Sequence, residues 1–107
     1  MPVREIDVEE LEELRGAGAP LIDVRQPDEY EEAHVPGAVL IPLGEVPDRL
    51  AELPTGGDLL VICKSGGRSM KAAEYLETQG IVAVNVAGGT MAWIDAGKAT
   101  ISGPAPD

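Results

Sequence analysis

One short stretch of the sequence concentrates reactive residue types: Cys63-Lys64-Ser65-Gly66-Gly67-Arg68-Ser69. It contains the only cysteine of the chain and two of its eight basic residues, with a third, Lys71, just beyond. A cysteine attacks as the thiolate, so its reactivity depends on what stabilises negative charge on sulfur. Gly66 and Gly67 permit backbone angles closed to other residues, and successive amide N–H groups can then curl inward around an anion. A helix predicted from Ser69 to Gln79 would add unpaired N–H groups and the positive end of its dipole. Settings of this kind lower thiol pKa values to roughly 3.5–7.5, which leaves the nucleophilic form present at neutral pH. The plainer reading of Cys63 is a small buried core residue. Its place ahead of two glycines and two bases favours the reactive one. Ser69 stays open between a helix cap and a direct ligand contact.

The loop needs a scaffold, and the flanking pattern supplies one. Leu59-Leu60-Val61-Ile62 is the most strand-like run, and it ends at Cys63. Open parallel sheets bind ligands beyond the carboxyl ends of their strands, which is where the thiol falls. Further short strands are expected at 21–24, 38–41 and 82–86. Between them, Asp7 and Glu10 form a possible capping box ahead of Leu11 and Leu14, and Pro27 opens a short helix to Glu32. Val46, Leu50 and Leu53 have helical spacing over 44–53, a turn follows at 54–58, and a last short helix spans 90–96. Strand and helix alternate throughout, which predicts an α/β fold with a parallel sheet and helices on both faces. The tail from about residue 98 is expected to be irregular or frayed.

With 107 residues the chain is long enough for one domain and too short for two. Apolar residues make up 44 %, yet there is no Phe, one Trp and two Tyr, so the core must be built from Val, Leu, Ile and Ala. The net charge of −11 argues against a nucleic-acid surface, which needs clustered Lys and Arg. No apolar run approaches a membrane span, and the first residues lack the basic start and apolar run of a signal peptide. One cysteine excludes an internal disulfide. A cytoplasmic location is expected. No His, Cys, Asp and Glu set has metal-ligand spacing.

Four motifs in order resemble the rhodanese family of sulfurtransferases over almost the full length. Leu21-Ile22-Asp23-Val24-Arg25 with Glu29-Tyr30 is similar to the family's first strand and helix, and His34-Val35-Pro36-Gly37-Ala38 with Ile41-Pro42 to its second signature. The Cys63–Ser69 stretch resembles the active-site loop, and Gly88-Gly89-Thr90-Met91-Ala92-Trp93 the C-terminal glycine and tryptophan motif. The resemblance implies a single rhodanese-like domain over residues 1–107, with a mostly parallel sheet of about five strands.

It also implies a chemistry. The Cys63 thiolate would take the outer sulfur of a donor such as thiosulfate, and a thiol or cyanide acceptor would remove it from the resulting persulfide. Backbone N–H groups from Lys64 to Ser69 would hold the charged sulfur, with Lys64 and Arg68 orienting the anionic donor. Lys64, Ser65, Gly66, Gly67, Arg68 and Ser69 are thus the expected substrate-binding residues around Cys63, with no cofactor implied. With no second cysteine, the acceptor must come from outside, and donor or acceptor could be a protein. Rival readings are a persulfide relay between proteins, a non-enzymatic binding module on the same fold, and a cysteine-loop phosphatase or arsenate reductase. Against the last, only four residues separate Cys63 from Arg68, where those enzymes have five.

Asp23, Arg25 and Glu29 are expected to tie the first strand to its helix, with Arg25 and Glu29 able to pair. His34 is expected to stabilise its Pro-Gly turn rather than act as a base, and Trp93 to be a core or pocket-wall residue. The acidic segment Glu5 to Glu13 is expected to be a solvated helix face, with docking of a partner the less favoured reading.

Overall fold

Four apolar residues in a row leave no polar face, so the strand they form must be covered on both sides. That strand is β4 (Leu59–Ile62), and all four of its residues are buried. The computed structural model describes residues 3–54 and 57–107. Before β4 come β1 (Arg4–Ile6), α1 (Val8–Gly16), β2 (Leu21–Asp23), α2 (Pro27–Glu32), β3 (Val39–Leu40) and a 3₁₀ segment (Leu43–Glu52). After it come α3 (Gly67–Thr78), β5 (Ala83–Val86) and α4 (Gly89–Asp95). The five strands form one parallel sheet in the order β1-β5-β4-β2-β3, with β4 at its centre.

The pleat of β4 divides the core in two. Leu60 and Ile62 face Leu11 of α1, Tyr30 of α2 and Trp93 of α4. Leu59, Val61 and the following Cys63 face Ala72, Ala73 and Leu76 of α3 together with Val46 of the 3₁₀ segment. Helices therefore cover both faces, as the alternating pattern predicts. At α1 the Asp7 side chain accepts from the Glu10 N–H at 2.9 Å, the capping role its spacing suggests. No helix is long and apolar enough to cross a membrane.

Several expectations change. Arg4–Ile6 is an edge strand rather than part of an acidic helical face; only Ile6 of its three residues is buried, so the apolar signal is a single residue. Residues 43–52 wind as 3₁₀ helix, with Pro47 inside and non-helical backbone at Arg49. The tail is irregular but not frayed. Ile101 and His34 exchange backbone hydrogen bonds at 2.9 and 3.0 Å, and the Gly37 N–H donates to Pro106 O at 2.9 Å. Thr55 and Gly56, inside the expected turn at 54–58, lie outside the described residues.

Candidate active site

Helix α3 begins at Gly67, two residues earlier than its sequence suggests, so the loop from the end of β4 is only Cys63 to Gly66. Gly66 caps the helix at φ 112°, ψ −13°, a conformation open to glycine alone at little cost. Gly67 is already helical. The turn inward thus depends on Gly66, not on both glycines.

This early start folds the chain back over the sulfur. The Gly66 N–H donates to Cys63 Sγ at 3.1 Å, and the Ser69 hydroxyl donates to it at 3.3 Å. Ser69 is buried inside the first turn of α3 rather than capping it, and its hydroxyl is turned to the sulfur. Cys63 itself is 1 % exposed. Burial pushes its thiol pKa up, but hydrogen bonds from the Ser69 hydroxyl and from the backbone N–H groups of Ser69, Gly66 and Ser65 together outweigh it. The thiol pKa ends below the ordinary value.

The loop is fixed from behind by α4. Cys63 O accepts from the Thr90 N–H at 2.9 Å and from the Thr90 hydroxyl at 3.0 Å, while Lys64 O accepts from the Met91 N–H at 3.0 Å. Two helix N-termini therefore meet the loop with different duties. The start of α3 serves the sulfur, and the start of α4 holds the loop backbone. A Cβ on Gly89 would stand 2.6 Å from Cys63 O and from Lys64 C and O, so the glycine is what permits this approach. Sequence reading singled out the Gly88-Gly89 motif but missed Thr90 within it.

The expected charges are distributed differently. Arg68 is paired with a carboxylate: its Nη1 and Nη2 donate to Glu29 Oε1 and Oε2 at 2.7 and 2.8 Å. The Arg68 hydrogen bond, helped by the Gln26 N–H at the start of α2, holds the Glu29 carboxyl at a pKa of about 2 despite partial burial. Arg25 pairs with Asp23 rather than with Glu29, through Nε and Nη2 at 2.9 to 3.1 Å, and its Nη2 also donates to Ala33 O at 2.8 Å. The expectation that Arg25 and Glu29 pair is thus corrected, because each has a closer partner of opposite charge. Lys64 is exposed and, among the described residues, has no carboxylate within ion-pair distance. Ser65 is exposed as well.

A cleft of about 190 Å³ opens beside the loop. Arg25, Glu29, Glu32 and Ala33 form one wall, and Lys64, Thr90, Met91 and Ile94 the other. Met91 and Ile94 are two of the four large apolar side chains left exposed among the described residues. His34 is buried away from this chemistry, its Nδ1 at 2.8 Å from Tyr30 O and its Nε2 at 3.3 Å from Pro106 O, so it joins α2 to the tail. The Trp93 Nε1–H donates to Ala99 O at 2.8 Å and anchors the same tail. Among the described residues, no three His, Cys, Asp or Glu side chains come together as a metal site.

The sequence profile described as Rhodanese-like domain matches residues 7–96. A putative sulfurtransferase of Bacillus subtilis, YtwF, is 41 % identical over 95 residues, covering 87 % of this chain and 92 % of its own. The thiosulfate sulfurtransferase GlpE of Pseudomonas syringae is 36 % identical over 91 residues, covering 84 % and 86 %. Among solved structures, a rhodanese-related protein of Thermoplasma volcanium superposes with a TM-score of 0.86 at 32 % identity, covering 92 % of this chain and 97 % of that one.

Proposed function

The chain belongs to the rhodanese-like family, and from that premise we propose that it is a sulfurtransferase that carries sulfane sulfur as a persulfide on Cys63. The observation that carries this reading is a buried thiol, lowered in pKa by neutral donors, at the end of the central strand. Neutral donors stabilise the thiolate without tying it to a cation, so it remains available to an electrophilic sulfur.

In the first half-reaction the Cys63 thiolate attacks the outer sulfur of thiosulfate. A new S–S bond forms, the old one breaks, and sulfite leaves with the bonding electron pair. The negative charge then sits on the outer sulfur of the persulfide. In the second half-reaction cyanide or a thiolate takes that outer sulfur and restores the Cys63 thiolate, a ping-pong cycle. The N–H groups of Ser65, Gly66 and Ser69 and the Ser69 hydroxyl serve the charge in both states of the loop. Lys64, exposed at the cleft and without a carboxylate partner among the described residues, attracts the anionic donor; Arg68, neutralised by Glu29, does not. Lys64→Ala is therefore expected to raise KM for thiosulfate with kcat little changed.

Intact-mass measurement tests the reading. Thiosulfate should add the mass of one sulfur atom, cyanide should remove it, and Cys63→Ser should gain nothing. A wild-type chain that gains no sulfur from thiosulfate would overturn the assignment of that donor, and one that gains none from a persulfide donor either would overturn the function. The four-residue spacing and the Arg68–Glu29 pair count against a phosphatase, so aryl phosphates should not be turned over. The persulfide relay is favoured by one observation: the cleft has room and apolar surface, at Met91 and Ile94, beyond what a small anion uses. A kcat/KM for a protein persulfide above that for thiosulfate would establish the relay as the main activity.

A further inference from the structure

Asn85 occupies the middle of β5, between Val84 and Val86, and is 1 % exposed. Its Nδ2 donates to Glu5 Oε2 at 2.8 Å and to Gly66 O at 3.3 Å. Two acceptors on one side fix the orientation of the amide, since the flipped form would set Oδ1 against a carboxylate and a carbonyl. In the orientation adopted, Oδ1 is buried with no partner among the described residues. An unpartnered buried acceptor is destabilising, and a branched apolar residue would suit this strand as its neighbours do. What Asn85 supplies in exchange is its pair of N–H donors.

One of those donors ends on a residue that itself serves the sulfur. Gly66 gives its N–H to Cys63 Sγ, and its carbonyl accepts from the Met70 N–H at 3.1 Å as well as from Asn85. Glu5 lies opposite Asn85 in the β1–β5 register, so a continuous line of contacts runs from the edge strand to the thiol: Glu5, Asn85, Gly66, Cys63. We propose that Asn85, oriented by Glu5, is a positioning residue that holds Gly66 so that its N–H stays aimed at Cys63 Sγ. The purpose of this device rests on the sulfurtransferase reading, but its effect is on the thiol alone and is measured there.

The test is the pH dependence of Cys63 alkylation by iodoacetamide. In Asn85→Ala the midpoint should rise by about half a unit, which makes alkylation roughly threefold slower below it. The rate on the high-pH plateau should match wild type. Glu5→Ala should shift the midpoint in the same direction by less, whereas Glu5→Gln, which keeps an oxygen toward Nδ2, should leave it at or below the wild-type value. Loss of the Glu5 charge alone would move the midpoint down, so a rise in Glu5→Ala cannot be a charge effect. Lys64 and the Asp23–Arg25 and Glu29–Arg68 pairs around the loop are untouched in all three variants. An unmoved midpoint in folded Asn85→Ala overturns the proposal, whatever happens to its melting temperature. Should Asn85→Ala not fold, an unmoved or lowered midpoint in Glu5→Ala does the same. Failure of the sulfurtransferase reading would look different: the midpoints shift as expected, but no sulfur is gained.

Discussion

β2 and β4 are neighbours in the sheet, and each delivers a buried acid at its carboxyl end: Asp23, which is 0 % exposed, and Cys63. The two are treated in opposite ways. Asp23 receives the Arg25 guanidinium in a two-pronged pair, plus the Arg25 backbone N–H at 3.1 Å. Cys63 receives a peptide N–H and a hydroxyl, and the nearby Arg68 turns to Glu29 instead. A carboxylate joined to a guanidinium is committed to structure; its charge is cancelled and its lone pairs are filled. A thiolate held by dipoles keeps its charge and an open side. Neighbouring strand ends with similar burial thus give a brace in one case and, on the function proposed, a nucleophile in the other.

The strongest way to separate the two is to break the brace. Asp23→Ala strands a buried guanidinium and should cost about 3–5 kcal/mol in urea unfolding. Cys63 alkylation in the molecules that remain folded should stay within about twofold of wild type. A Cys63 that fails in step with Asp23 would mean that the two ends are one unit.

Gly89→Ala acts on the other end. The new Cβ meets the Cys63 and Lys64 backbone, at a residue whose φ is +58°. A loss of about 2 kcal/mol is expected in the same unfolding experiment. Here, unlike at Asp23, the alkylation midpoint should shift along with stability. Ser69→Ala is subtler: it removes one donor to a charged sulfur and should raise the alkylation midpoint by about one unit. Its effect on unfolding should stay below about 1 kcal/mol. A midpoint that does not move would give the thiolate to the backbone alone.

The smallest effect is expected at Glu29. Its pKa is depressed to about 2 by Arg68, so the pair contributes stability that is complete above the usual carboxylate value of 4.5 and lost as pH falls toward 2. Glu29→Gln should flatten that part of the acid unfolding curve. At neutral pH it should cost less than about 1 kcal/mol, because both side chains are partly solvated. Retention of the full acid dependence in the variant would assign it to other carboxylates.

What the sequence made legible was the part written in local patterns. The apolar run at β4, the break after it, the glycines and the alternation of strand and helix placed Cys63 at the end of a parallel strand. The parts it hid depend on which residue meets which across the fold. Glu29 and Arg68 are far apart in the chain, and nothing local distinguishes an Arg that faces an anion from one that faces a carboxylate. β1 carries only one buried residue, so its pairing with β5 has almost no periodic signal. Thr90 reads as an ordinary first-turn residue until its hydroxyl is seen on Cys63 O. Asn85 did carry a signal, a polar side chain inside an apolar strand, but its partners, Glu5 and Gly66, lie 80 and 19 residues away in the chain.

The depth of the thiol has one more consequence. A disulfide between two chains needs Cα atoms roughly 4.4–6.8 Å apart. A cysteine that is 1 % exposed, beneath Gly66 and the first turn of α3, cannot bring its Cα that close to its counterpart in a second copy. After exposure to air the protein is therefore expected to run as a monomer on a non-reducing gel. In storage its cysteine is vulnerable only to oxidants small enough to enter the loop.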